Sequence, residues 1–259
     1  MKIVNMALLK STDEIKILKQ GGRILAGIMK KIAKAVRPGV ATRELDELAE
    51  RLILEAGGEP SFKGYGERDN PYPAALCTSV NEQIVHGVPG DYILKSGDIV
   101  GLDVGMRYPR SSGLFTDMAI TVGVGKISPK AKDLISVTEK ALKIWLKNIK
   151  PGEDIIQISA KVQTYVEQQG FSVIRELVGH GVGHAVHEPP AIPNYYSTEF
   201  SFKLKEGMVL ALEPMVSVGD YHILVQNDNW SVITRDRSLC AHFEHTVAVT
   251  KGGSEVITR

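Results

Sequence analysis

The sequence predicts a mixed α/β (α+β) fold assembled from two similar halves. Three observations predict it. A plan of two helices followed by short strands occurs twice along the chain. A helix-stopping tripeptide, Arg37-Pro38-Gly39, returns as Lys150-Pro151-Gly152. Leu94-Lys95-Ser96-Gly97-Asp98-Ile99-Val100-Gly101-Leu102-Asp103 aligns without gaps on Leu204-Lys205-Glu206-Gly207-Met208-Val209-Leu210-Ala211-Leu212-Glu213, and both segments end an apolar strand on a carboxylate. Similarity on this scale is too long for a solenoid and suits two halves related by a pseudo-twofold. A chain of 259 residues is long enough for a substantial core. The reading is therefore one domain over residues 1–259, with halves at about 11–123 and about 128–258.

The elements follow in order. Ser11-Thr12-Asp13-Glu14 has the form of a capping box, and Ile15, Leu18, Ile24, Leu25, Ile28 and Ile32 recur behind it at roughly helical spacing. Arg37-Pro38-Gly39 stops this helix, and a second fits residues 42–56, closed by Gly57-Gly58. From about Tyr72 to Val122, β-branched runs separated by Gly, Pro, Asn and Asp predict strands and hairpins. Ser128-Pro129 opens a third helix with proline in its first turn, carried by Leu134, Val137, Ala141, Leu142 and Trp145. A fourth runs from about Ile155 to Gln169 and ends at Gly170, with strand-like segments beyond.

Composition narrows the function classes. With 43% hydrophobic and 24% charged residues, the chain has the make-up of a soluble globular protein. Its 31 Lys+Arg against 30 Asp+Glu give no electrostatic reason to expect nucleic acid or an anionic membrane as partner. The two cysteines, Cys77 and Cys240, lie far apart without metal-binding spacing, which argues against a disulfide scaffold or thiolate zinc site and for a reducing, cytoplasmic setting. The N-terminal run Met1–Lys10 is too short in apolar residues for a secretory signal, and no stretch of about 18 apolar residues is present.

Two sets of residues carry chemistry. Gly179-His180-Gly181-Val182-Gly183-His184-Ala185-Val186-His187-Glu188-Pro189-Pro190 gathers three of the seven histidines among glycines that permit close approach to a ligand. It is not HExxH, since no histidine stands four residues after His187. The second set is Asp103, Asp117, Glu213 and Glu244, each inside or ending an apolar strand. A buried carboxylate must be protonated, paired or bound to a metal, and four of them with histidine make up a dinuclear site for hard or borderline divalent ions.

These segments resemble the methionine aminopeptidases, in the type I, bacterial-like branch of the pita-bread aminopeptidases. The resemblance rests on Pro60-Ser61-Phe62-Lys63-Gly64-Tyr65, on Cys77 to Glu82 running into Val85-His86-Gly87-Val88-Pro89, and on Gly97-Asp98-Ile99-Val100. It continues through Gly179 to Gly183, His187-Glu188-Pro189-Pro190, Glu213-Pro214-Met215 and Phe243-Glu244-His245-Thr246, in that order. It implies a single catalytic domain with the pita-bread fold, an antiparallel β-sheet covered by helices, and a hydrolase that removes N-terminal methionine. It implies that Asp103, Asp117, His180, Glu213 and Glu244 hold two divalent metal ions per chain (Co, Mn, Fe or Zn), with Asp117 and Glu244 bridging. His86 and His187 would contact the scissile peptide, His86 at the amide nitrogen and His187 at the oxyanion, while Glu213 moves the proton. Tyr65, Tyr72, Cys77 and Trp230, with Phe62 nearby, would line a slot for the methionine side chain. The implied partners are nascent polypeptide N-termini with a transient ribosome contact, no nucleic acid substrate and no membrane, for a monomer.

The chain departs from the family pattern in places. Glu67–Pro71 forms a short insertion between Gly66 and Tyr72, beside Tyr65. A longer turn around Pro109–Gly113 separates Asp103 from Asp117, and is expected to lengthen a hairpin without disturbing the ligands. Val186 replaces the aromatic residue often found before His187, which would open the pocket rim. Two rivals remain: a proline-linked aminopeptidase on the same fold, which typically has another sequence after the Glu213 position and an extra N-terminal domain, and a non-catalytic pita-bread binding protein. His184, His222, His242 and His245 read as structural or supporting residues.

Overall fold

The Ser11 hydroxyl accepts the backbone N–H of Glu14 while the Glu14 carboxylate takes the Ser11 N–H, closing the capping box read from sequence. Such a cap is worth about 1 kcal/mol. It opens α1 (Thr12–Ala35), whose Leu18, Leu25, Met29 and Ile32 are buried. These observations come from a computed structural model that describes residues 9–259, so the leader reading of residues 1–8 lies outside it. α2 (Thr42–Glu55) follows, then β1 (Glu59–Pro60), β2 (Gly66–Glu67), β3 (Asn70–Pro71), β4 (Leu76–Val80), β5 (Gln83–Val85), β6 (Ile99–Tyr108) and β7 (Leu114–Gly123). The plan then recurs with α3 (Pro129–Asn148), capped by Ser128 with proline at its first position, and α4 (Ile155–Gln168). Short strands complete the chain: β8 (Ser172–Val173), β9 (Gly179–Gly181), β10 (Glu188–Ile192), β11 (Val209–Leu212), β12 (Met215–Ser217), β13 (Ile223–Val225), β14 (Val232–Thr234), β15 (Cys240–His242), β16 (His245–Thr250) and β17 (Gly253–Val256).

All strand pairs among the described residues are antiparallel. β6 is central to one sheet, pairing with β4 and β7, and its ladder to β7 runs unbroken from Ile99↔Gly123 to Tyr108↔Leu114. The long turn at Pro109–Gly113 therefore lengthens the hairpin without a register shift, as expected from sequence. A second sheet has the order β10-β9-β11-β16-β17. One apolar core lies between α1, α2 and β6, with Leu25, Met29, Leu45, Ile53, Leu102 and Val104. Another joins α3 and α4 to β11 and β16 through Leu134, Trp145, Ile158, Val162, Leu210 and Val247.

β15, of a three-stranded sheet ordered β15-β12-β8, and β16 of the second sheet both meet the first sheet along β7. Thr121 Oγ1 donates to the His242 carbonyl and accepts the His242 N–H, both at 2.9 Å. Thr246 Oγ1 does the same for the Asp117 backbone at 2.8 Å. Between these bridges the Glu244 N–H donates to the Ala119 carbonyl at 2.8 Å. Threonine side chains thus stand in for ladder bonds and hold Asp117 beside Glu244. No helix among the described residues is long and apolar enough to cross a membrane.

Candidate metal centre and substrate pocket

Asp103 and Asp117 sit on the β6–β7 hairpin, where Asp103 opposes Ala119 and Asp117 opposes Gly105. That register offsets the two acids by two positions across the ladder, so both face one side of the sheet. Glu213 and Glu244 occupy a break in another ladder, between the pairs Leu212↔His245 and Met215↔His242. Pro214 has no N–H to donate, and its carbonyl takes the Phe243 N–H at 3.3 Å. The interruption turns two carboxylates out of strands whose buried residues are mostly apolar. Asn194, buried beneath them, accepts from Trp145 Nε1 at 2.8 Å and donates to the Glu213 carbonyl at 3.0 Å, anchoring that break to α3.

His180 lies on β9. Its Nδ1 is 2.9 Å from the Gly181 carbonyl oxygen, which can only accept, so Nδ1 carries the proton and Nε2 is a free lone pair. Nε2 points at Glu213 Oε1, 3.4 Å away, and ligand atoms of Asp117, His180 and Glu244 all lie within 4.8 Å of one another. Asp103, Asp117, His180, Glu213 and Glu244 line one cavity of about 130 Å³. The five ligands expected from sequence are therefore brought together.

The electrostatics of this floor penalise bare carboxylate charges. Burial first, then the neighbouring acids, push the Asp103 and Glu244 carboxyls well above their ordinary range. Burial raises Asp117 to about 7, with Glu213 adding to it, and burial raises Glu213 to about 8. His180 and His242 are driven the other way by burial, each to about 3. Asp103 Oδ1, Asp117 Oδ1, Glu244 Oε1 and His242 Nε2 are buried with no hydrogen-bond partner among the described residues. Carboxylate oxygens crowded together with no donor bonded to them fit divalent cations, since carboxylate and neutral imidazole are ligands such ions take.

The rest of the cavity is a wall. Phe62, Tyr65, Tyr72, Cys77, His86, His187 and Trp230 line it. The structure adds Val85, Leu177, Val178 and Met215, which the sequence reading missed because apolar alternation marks burial and not the facing of a void. Tyr72 is buried edge-on to Trp230, ring centres 5.2 Å apart, and its hydroxyl donates to the Gly87 carbonyl at 3.1 Å. Burial pushes the Cys77 thiol up, so it stays neutral. The Glu67–Pro71 insertion forms the β2–β3 hairpin, and Asn70 Nδ2 donates to the Asp228 carbonyl at 3.2 Å, beside Trp230. Gly66 starts this hairpin at φ +100, where a Cβ would lie 2.5 Å from Trp230 Cη2. Val186, expected to open the rim, is buried with Phe62, Tyr72 and Cys77.

Two histidines stand between floor and wall. His86 holds a left-handed φ of +56, uncommon for a residue with a side chain, and burial lowers it to about 4. His187 Nδ1 is 2.7 Å from the Tyr65 hydroxyl, and its ring centre is 4.3 Å from that of His180. Burial lowers His187 as well. Of the remaining histidines, His242 Nε2 stands 3.5 Å from Glu213 Oε2, while His245 bonds Thr258 and His222 bonds Asp220 outside the cavity.

The sequence profile of metallopeptidase family M24 matches residues 16–251. Methionine aminopeptidase 1 of Bacillus subtilis is 46% identical over 254 residues, spanning 98% of this chain and 100% of the relative. The chain belongs to the methionine aminopeptidases of metallopeptidase family M24. A crystal structure of the Thermotoga maritima methionine aminopeptidase superposes with a TM-score of 0.93 at 41% identity, covering 98% of this chain and 100% of that one. An Xaa-Pro dipeptidase from Bacillus anthracis shares the fold less closely, with a TM-score of 0.78 at 26% identity, and this chain spans only 62% of it. The pita-bread fold expected from sequence is thus found, and the methionine aminopeptidases match it over their whole length.

Proposed function

We propose that this protein hydrolyses the first peptide bond of polypeptides beginning with methionine, acting in the cytoplasm on nascent chains as a monomeric, single-domain enzyme of two similar halves, with a transient ribosome contact. The observation that carries this reading is one cavity with acids and a histidine at its base and an apolar aromatic and thiol wall above them. Asp103, Asp117, His180, Glu213 and Glu244 would hold two divalent ions, and Asp117 and Glu244, beside each other across β7, would be the pair to share them. Divalent ions bound there supply an activated water at neutral pH and polarise the scissile carbonyl.

The remaining steps belong to the chain's own groups. With the Tyr65 hydroxyl donating to His187 Nδ1, His187 presents Nε2–H towards the cavity, a donor placed for the oxyanion that develops on the attacked carbonyl. His86, held neutral by burial, has a ring nitrogen free to accept a hydrogen bond from the scissile amide N–H. Glu213, whose carboxyl faces His180 and His242 on its two oxygens, is positioned to take the water's proton and pass it to the leaving amine. Tyr65, Tyr72, Cys77 and Trp230 form a dry slot whose soft thiol and ring edges suit an unbranched thioether.

A peptide panel tests the reading. Purified protein loaded with Mn, Co, Fe or Zn is expected to release methionine from Met-Ala-Ser and leave Xaa-Pro peptides intact. Cleavage of the Xaa-Pro peptides alone would transfer the chain's activity to the proline-linked class, and no turnover with metal bound would favour a binding protein.

A further inference from the structure

Glu188 directly follows His187 and takes no part in the cavity lining, yet its side chain is only 4% exposed. One of its oxygens, Oε1, accepts the backbone N–H groups of His184 and Ala185, the second at 2.8 Å. The other oxygen, Oε2, pairs with Lys10 Nζ, on a side chain 1% exposed. A buried charge pair of this kind is retained only while both partners are present, because removing one leaves an uncompensated charge in the interior. Lys10 is itself fixed in place. Its backbone N–H donates to the Gly207 carbonyl at 2.8 Å, and Gly207 donates to Val249 on β16 at 3.0 Å.

The lysine reaches Glu188 across Gly183. That glycine has φ +139, and a Cβ there would stand 2.5 Å from Lys10 Cε, so the crossing requires a residue with no side chain. A second contact lies one helical turn further along. Glu14, the carboxylate of the α1 capping box, takes the Ser11 N–H and hydroxyl on Oε2 at 2.7 and 2.8 Å, and its Oε1 is 2.5 Å from His184 Nε2. Lys10 and Glu14 thus grip the Gly183–Glu188 loop at both ends, and His187 is the residue that this loop delivers into the cavity.

We infer that the segment Lys10–Glu14 is a positioning element for catalysis: the Lys10–Glu188 pair, aided by Glu14–His184, locks the Gly183–Glu188 loop so that His187 meets the scissile carbonyl. Neither Lys10 nor Glu14 lines the cavity, so both act through His187. The inference rests on the proposed role of His187, and on one consequence of it. A donor displaced by about 1 Å from a developing charge can lose roughly 100-fold in rate. The loss belongs to the transition state, so it falls on kcat with KM little changed.

The test is a double-mutant cycle on the metal-loaded enzyme with Met-Ala-Ser. Lys10→Met is expected to lower kcat by roughly 100-fold, with KM and the number of metal ions bound unchanged, and Lys10→Arg to recover part of the loss. Combining Lys10→Met with His187→Ala is expected to be no worse than His187→Ala alone, because the lysine has nothing left to position. Glu14→Gln, at a more exposed contact, is the milder variant, expected to lose about 3- to 10-fold with the same dependence on His187; it decides the matter if Lys10→Met does not fold. Losses that multiply with His187→Ala, or folded Lys10→Met and Glu14→Gln proteins with undiminished kcat beside an impaired His187→Ala, would overturn the positioning role alone. An unimpaired His187→Ala would overturn the role of His187 and the inference with it.

Discussion

Asp103 and Asp117 at the base of the cavity come from strands of one hairpin, and Glu213 and Glu244 sit in a short break between paired strands, whereas most of the wall facing them comes from segments with few ladder partners. Asp103 pairs through β6 with Cys77 on one side and Ala119 on the other. Asp117 is held by β6 and by Thr246. By contrast, Tyr65 lies in the connection before β2, Trp230 in the turn between β13 and β14, and His187 in the loop between β9 and β10. The floor must hold like charges at fixed separations against their repulsion, and only a rigid, doubly paired scaffold does that. The wall must admit a peptide, and loops fastened by single contacts such as Tyr65–His187 and Asn70–Asp228 suit that task.

The largest expected effect breaks the floor. Asp117→Asn removes a charge and a ligand together, and should lower kcat/KM with saturating metal by about 1000-fold or more, since the stabilisation a bound cation supplies is worth several kcal/mol. The same variant should leave the melting temperature of metal-free protein unchanged or higher, because a buried acid beside Glu213 is a strain on that state. Calorimetry with and without chelator measures both arms. A sharp fall in metal-free stability would mean that Asp117 is a structural residue first.

Wall substitutions should behave otherwise. Trp230→Ala should raise KM for Met-Ala-Ser by about 10- to 100-fold, the range expected for a lost apolar contact of one side chain, with metal binding retained. Gly66→Ala is smaller. Its added methyl meets Trp230 Cη2 at 2.5 Å from a φ of +100, so stability should fall by about 1–2 kcal/mol and selectivity for methionine over leucine should shift by several-fold. Chemical denaturation and a two-substrate competition check these. Equal losses in kcat and metal affinity would erase the distinction between wall and floor.

The same contrast governs what the sequence made legible. The helix starts were readable because Ser11 with Glu14, and Ser128 with Pro129, are local devices that act within one turn. The floor was readable because a carboxylate inside an apolar run is costly, and four of them must share a reason. The strand pairings were not readable in detail: β8, β9 and β12 are two or three residues long and are paired by distant segments. The Lys10–Glu188 pair was invisible for the same reason. Its members are 178 positions apart, and each alone looks like a solvent-facing charge. In the wall, the aromatic residues came from the family resemblance and not from any pattern of their own, since nothing in the sequence distinguishes Trp230 facing a cavity from Trp145 packed in a core.

The smallest expected effect is a pH dependence confined to the floor. Asp117 and Glu213 are held at about 7 and about 8 in the metal-free fold, above their ordinary values of 3.8 and 4.5. Above about pH 6.5, where the lowered histidines are neutral in both states, these acids make the folded state bind more protons than the unfolded chain, so stability falls as pH rises to about 8 and the full penalty is present above it. Cations require the deprotonated carboxylates, so their binding releases protons and strengthens over the same range. Melting temperatures of metal-free protein should drift down by a few degrees from about pH 6.5 to pH 8, while the upward shift on adding Mn grows. Asp117→Asn should flatten both trends, and Trp230→Ala should leave both intact. A Trp230→Ala protein that lost the pH trend would show that the wall, and not the acids alone, sets the charge state of the site.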